Sequence, residues 1–139
     1  MTAPAPAPAP AHDDAPRRSR PATVLRDLLS PAGLDALEWS SWVEAGRAGV
    51  EFVPLYTTEG PRPATGLISR MSPGAHGDLH EHLGYEAMFV LQGELLDDSG
   101  ARYTAGDLVV VEPGSVHQVS TETGCVVLGF RDAPTAPLR

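Results

Sequence analysis

Lysine is absent from the 139 residues, so arginine supplies every fixed positive side chain. Basic residues are also outnumbered, 10 against 18 acidic, for a formal net charge of −8. So acidic a chain lacks the electrostatic footprint that nucleic acid or anionic lipid requires, and no nucleic-acid or membrane partner is expected. No apolar run approaches the ~20 residues of a membrane span. Cysteine occurs once, at Cys125, which excludes an internal disulfide framework and a cysteine-based zinc finger. The expectation left by these absences is a soluble, cytoplasmic protein of one domain.

Glycine and proline are plentiful, 14 of each, and they argue against long helices. Residues 1–22 alternate Ala and Pro and then carry an arginine cluster, a composition that buries almost nothing and predicts a disordered tail. A secretory signal would place charge first and an unbroken apolar stretch after it, so secretion is not expected. Over 23–45 the apolar residues Val24, Leu25, Leu28, Leu29, Leu34, Leu37 and Trp39 fall at helix-like spacing. They predict a short helical arm packed on the main domain, broken at Pro31.

From about Gly49 the pattern changes to short β-type runs: Val50–Tyr56, Thr65–Met71, Tyr85–Leu91, Asp107–Val111, Val116–Ser120 and Cys125–Phe130. Turn clusters such as Pro113-Gly114 and Thr123-Gly124 separate them. The expected fold is all-β, an antiparallel sandwich or small barrel over 46–132, with a C-terminal tail at 133–139.

Four of the five histidines, His76, His80, His82 and His117, lie in the β region. His80 and His82 are two apart, so on a strand both imidazoles project from one face. A straight strand would leave His80 and Glu86 about 20 Å apart at ~3.3 Å per residue. A shared metal ion therefore demands that the chain turn back between them, and Gly84 is suitably placed. His117, beyond the Pro113-Gly114 turn, would complete a four-ligand set of His80, His82, Glu86 and His117.

These residues resemble the two motifs of the cupin family. Gly74, His80, His82, Glu86 and Gly93 match G-x5-H-x-H-x3-E-x6-G without insertion. Gly106, Gly114 and His117 match the second motif, G-x5-P-x-G-x2-H-x3-N; Pro113 is displaced by one place and Thr121 stands where the Asn would be. The stretch from Trp42 to Arg131 is similar to the cupin half of ChrR-type anti-sigma factors and to small dioxygenases that cleave β-diketones or hydroxyketones. No cysteine precedes Cys125, so the separate helical zinc domain of the anti-sigma relatives is not expected, and the sigma-binding role is the weaker implication. The resemblance implies a single cupin (jelly-roll) barrel, a homodimer, and one divalent transition metal per chain. Iron(II) comes first, with zinc, nickel or manganese as alternatives.

Three His and one Glu would leave an octahedral ion two positions for substrate, water or dioxygen. The leading expectation is a metal-dependent oxygenase of the dioxygenase type acting on a small carbonyl or aromatic compound. The alternatives are a non-redox polyketide cyclase or isomerase, working by Lewis-acid polarisation, and a non-catalytic metal-binding sensor. Glu86 and His76 are the acid/base candidates, although His76 reads first as a turn residue. Period-two alternation from Glu86 puts Met88, Val90 and Gln92 on the metal-facing side as pocket candidates. Arg70 and Arg131 could clamp a substrate carboxylate if they point inward. Trp39 and Trp42 are expected to pack at the barrel mouth, and Cys125 is expected to be a buried, inert thiol.

Overall fold

The computed structural model describes residues 20–138. The tail expected over 1–22 therefore lies outside the described residues except for its last three. Among the described residues the chain forms α1 (Pro31–Asp35) and eleven strands. The strands are β1 (Ser40–Ser41), β2 (Ala48–Thr57), β3 (Thr65–His76), β4 (His80–His82), β5 (Glu86–Asp97), β6 (Arg102–Thr104), β7 (Leu108–Val111), β8 (Val116–His117), β9 (Val119–Ser120), β10 (Cys125–Arg131) and β11 (Thr135–Pro137).

All pairings are antiparallel. The main sheet runs β1-β2-β3-β10-β5-β6, with β7 also on β5. The short β9 pairs with both β3 and β5 and so closes the sheet into a barrel. A smaller sheet, β11-β4-β8, carries the histidine strand in its middle. No helix among the described residues is long and apolar enough to cross a membrane.

Each long strand alternates between two apolar environments because successive side chains project to opposite faces. Met71 on β3, Met88 on β5 and Val127 on β10 point into the barrel, where they pack with Val50, Val90, Leu95 and Cys125. Their neighbours Ile68 and Val126 point outward and pack with Val53 and Leu34. Leu25, Leu28, Leu37 and Trp39 from the N-terminal segment cover this outer cluster. Two buried faces explain why β10 reads as an almost unbroken apolar run.

That covering segment is less helical than its spacing predicts. Helix is confined to α1, and Pro31, expected to break a helix, instead begins one. Proline suits the first helical position, where its missing N–H would have had no intrahelical partner. Ser30 caps the turn by accepting a hydrogen bond from the Gly33 N–H at 3.1 Å. Two further boundaries move. β1 falls inside the arm expected over 23–45, and β11 inside the tail expected over 133–139, where it pairs with the histidine strand.

Alternation also slips once along β5. Cys125, Val126 and Val127 on β10 face Gly93, Gln92 and Val90, so Leu91 is an extra residue on β5, a bulge. Before it Glu86, Met88 and Val90 point inward; after it the inward residue is Leu95. Gly93 is required beside the bulge. Its φ is +75°, and a Cβ there would lie 2.0 Å from the Gly124 carbonyl oxygen.

A candidate metal centre

His80 and His82 are alternate residues of β4, and His117 faces His80 across the β4–β8 pair. All three are buried, at 4%, 1% and 7% exposure. Their rings form a nearly equilateral triangle with centroids 4.8, 4.8 and 4.9 Å apart, each edge-on to the others. The His82 Nε2 lies 3.1 Å from the His80 Nε2 and 2.9 Å from the His117 Nε2.

The outer nitrogens decide what those inner atoms carry. The His80 Nδ1 is 2.8 Å from the Asp78 carbonyl oxygen, which can only accept, so Nδ1 holds the proton. The His117 Nδ1 is 2.7 Å from the Asp97 carboxylate and donates to it. Burial would raise the Asp97 pKa, but hydrogen bonds from Ser99 and His117 bring it below its ordinary value, so the acceptor stays ionised. His82 turns its Nδ1 towards Glu86, 3.2 Å away. In the neutral rings this leaves three Nε2 lone pairs converging on one point with no proton to share between them.

A cation resolves that arrangement. Two nitrogens ~2.1 Å from one ion and at right angles about it are ~3.0 Å apart, close to both observed separations. Protonation, the other way to remove the conflict, is disfavoured. Burial, reinforced by His80, His117 and Arg131, pushes the His82 pKa from 6.5 down to about 4, and burial likewise lowers that of His80. The three imidazoles fit a divalent transition metal bound through nitrogen.

Glu86 is differently placed from the expectation. The chain does turn back at Leu83–Gly84, where Gly84 permits a close approach; a Cβ there would be 3.0 Å from that of Ala133. The buried Glu86 carboxylate nevertheless stays out of the nitrogen cluster. Its Oε2 lies beside the His82 Nδ1 and 3.1 Å from the Arg131 Nε, an ion pair too poorly aligned to be a hydrogen bond. The structure thus brings together three of the four proposed ligands, with the fourth behind one of them.

A cavity of about 50 Å³ adjoins the cluster, walled by His80, His117 and Glu86 on one part and by Met71, Met88 and Val127 on another. Of the sequence-predicted pocket residues Met88 lines it, while Val90, 0% exposed, is packed in the interior core. Gln92 is exposed because the Leu91 bulge reverses its side of the strand. Arg70 lies on the outer face, paired with Glu51 at 2.8 Å and Asp35 at 3.3 Å and stacked 4.2 Å over Trp39. Trp39 therefore packs outside the barrel rather than at its mouth, its Nε1 donating to the Leu34 carbonyl. Trp42 and Arg131 do line the cavity. His76 joins neither cluster nor cavity wall; its Nδ1 lies against the Gly77 carbonyl at 3.1 Å. Cys125 is buried, and its thiol is pushed up to about 11.

Three contributors were not singled out from the sequence. Asp97 orients His117, Asp78 orients His80 through its backbone, and Arg47 lines the cavity. Arg47 comes from a segment remote from the motifs, and Asp97, though only four residues past Gly93, holds no motif position that would mark it. Thr121, in place of the motif's Asn, is 2% exposed; its Oγ1 donates to the Glu94 carbonyl and accepts from the Gly124 N–H. It pins the turn after β9 to β5 without touching the histidines.

Residues 33–133 match the family described as ChrR Cupin-like domain. No protein of curated function matches the sequence. Among solved structures, the complex of SigE with the anti-sigma ChrR from Rhodobacter sphaeroides matches at 27% identity and a TM-score of 0.59. The match covers 71% of this chain and 50% of the other, so this chain spans half of that protein. An acetylacetone dioxygenase from Acinetobacter johnsonii matches at 13% identity and a TM-score of 0.71, over 91% of this chain and 85% of the other. The polyketide cyclase RemF from Streptomyces resistomycificus matches at 19% identity and a TM-score of 0.62, over 76% and 82%. The last two likenesses establish a shared cupin fold.

Proposed function

Because this chain belongs to the ChrR Cupin-like domain family, we propose that it is a metal-dependent enzyme acting on a small carbonyl compound, of the dioxygenase type, with iron(II) as the metal. The observation that carries the reading is the set of three converging Nε2 lone pairs beside a small cavity. A bound transition metal supplies Lewis acidity towards a carbonyl oxygen and, when redox-active, electrons for reaction with dioxygen. The likeness to an acetylacetone dioxygenase over most of both chains supports a β-diketone-sized substrate.

The chain's own groups then divide the work. His80, His82 and His117 would hold the ion, with Asp97 and the Asp78 carbonyl fixing two of the ring orientations. Met71, Met88 and Val127 keep water from the apolar side of the cavity. Glu86 is on the cavity wall and outside the nitrogen cluster, so it is the proposed acceptor of a proton from the carbon between two carbonyls.

A second reading is a non-redox cyclase or isomerase. It is favoured by the neutrality of the imidazole set, which leaves the ion's positive charge undiminished for polarising a carbonyl. Elemental analysis of protein purified anaerobically, followed by oxygen uptake with small β-diketones, separates the two. One iron per chain, lost in His82→Ala, with oxygen consumed on addition of substrate, is expected. Turnover without oxygen on a zinc- or nickel-loaded protein would favour the second reading. Binding without turnover under any metal would leave a sensor, and no metal in any preparation would overturn all three.

A further inference from the structure

Three arginines sit close to tryptophans, and they are not equivalent. Arg70 on the outer face stacks over Trp39 and meets two carboxylates through both Nη atoms. Arg47 and Arg131 approach Trp42 from the barrel side, with guanidinium carbons 3.9 and 5.8 Å from its ring. Their side chains are only 8% and 17% exposed. Arg47 binds Asp78 through Nη2 at 2.5 Å, while its Nε is buried without a hydrogen-bond partner. Arg131 lies beside Glu86 but makes no hydrogen bond among the described residues, and its Nε too is buried and unpartnered.

A buried guanidinium carries five N–H donors in a rigid fork, and leaving them unpaired is costly. Both arginines line the inner cavity and also a larger outer recess of about 370 Å³; Trp42 and Leu67 are shared by the two as well. The unpaired donors therefore stand at the junction between the recess and the chamber walled by His80 and His117. Three carboxylates lie nearby: Asp78 binds Arg47, Glu44 stands 3.8 Å from the Arg47 Nε, and Glu86 lies beside Arg131; the remaining donors are left for a visitor. A planar anion matches that fork in charge and geometry better than a neutral carbonyl does.

We propose that Arg47 and Arg131 form a carboxylate-binding site at the Trp42 wall, so that the ligand of this cavity is a small oxo acid rather than a neutral diketone. The proposal rests on the reading that the cavity takes a carbonyl compound, but its arginine site is independent of the ion. Two probes that share a diketone unit, acetylacetone and 2,4-dioxopentanoate, differ in having a methyl or a carboxylate at one end. Their affinities are measured by calorimetry on the full chain, metal-free and zinc-loaded, with quenching of tryptophan emission as a second readout.

The oxo acid is expected to bind about tenfold or more tightly than acetylacetone in both forms. Arg131→Met, and Arg131→Lys as the variant that keeps the charge beside Glu86, should collapse that ratio, whereas Arg70→Met should preserve it. Thermal unfolding and zinc stoichiometry establish that each variant is folded. Equal affinities in the unaltered protein, a ratio preserved in Arg131→Lys, or no binding of either probe overturns the site. A carboxylate preference in metal-free protein that takes up no metal keeps the arginine site and removes the enzyme reading. Diketone turnover with no preference does the reverse.

Discussion

Val126 and Val127 are neighbours on β10, yet they serve regions built on different terms. Val126 faces the outer cluster with Val53, Ile68 and Leu34, where the buried side chains are all apolar and the N-terminal segment forms the lid. Val127 faces the barrel interior, where the apolar packing shares a wall with two histidines, Glu86 and two arginines around a void. Atoms lining a void lose packing partners, and buried polar groups add a desolvation cost. The buried side chains of the outer cluster carry no polar group and so avoid the second cost. The outer side thus carries packing alone, while the interior carries packing and chemistry together, with the same strands holding both.

The sharpest way to separate the two sides is a reciprocal pair of substitutions. His82→Ala should abolish stoichiometric metal binding, an effect beyond the ~10–100-fold that loss of an outer partner costs, while removing a polar group from the interior. Ile68→Ala, at a position 0% exposed on the outer side, should lower stability by about 3–4 kcal/mol in urea unfolding and leave one metal per chain. If Ile68→Ala also empties the metal centre, the two regions are one cooperative unit and the comparison fails.

Acid distinguishes them next. In metal-free protein the folded His82 titrates near 4, against 6.5 as its ordinary value. Above pH 6.5 both states are neutral at this residue and it contributes no slope. Between pH 6.5 and 4 the unfolded chain binds the proton first, so stability falls with pH, by about 3 kcal/mol over the window. Below pH 4 the slope from this group ends. Unfolding titrations at several pH values should show this loss, and saturating metal should oppose it.

A smaller effect is expected one shell away from the ion. Asp97→Asn removes the charge that holds the His117 Nδ1–H and should weaken metal affinity about tenfold, read by competition with a chelator, with little change in the outer cluster. Least visible is Cys125. With its thiol pushed up to about 11 inside the barrel, it should resist alkylation at pH 8 until the protein unfolds. Rapid labelling of the native protein would mean that the interior opens far more often than its packing implies.

What could be read in the sequence was what depends on nearby residues. His80 and His82 share a face because strands have period two, and six β-type runs appear as strands or parts of strands because turns punctuate them. The placement of Gln92 was not legible, since the Leu91 bulge exists only in the pairing of β5 with β10. Nor was Asp97 as the partner of His117, which depends on a β-barrel closing over 20 residues of chain. The helix-like spacing over 23–45 was a true record of a buried face but a poor guide to backbone, because extended chain on either side of α1 delivers Leu25 and Trp39 to the same cluster. Arg70 and Arg131 looked alike in sequence; strand parity put one outside and one inside.

The position of β4 bears on the order in which the molecule is assembled during synthesis. It carries two of the three imidazoles, yet both strands beside it, β8 and β11, are made later. The outer sheet partners β2 and β3 are consecutive and can pair as soon as they emerge, whereas β4 must wait for distant segments to close long loops around it. The main sheet waits too: β10, which joins β3 to β5, follows His117 in the chain, so the histidine triangle and the barrel around it close together late rather than one after the other.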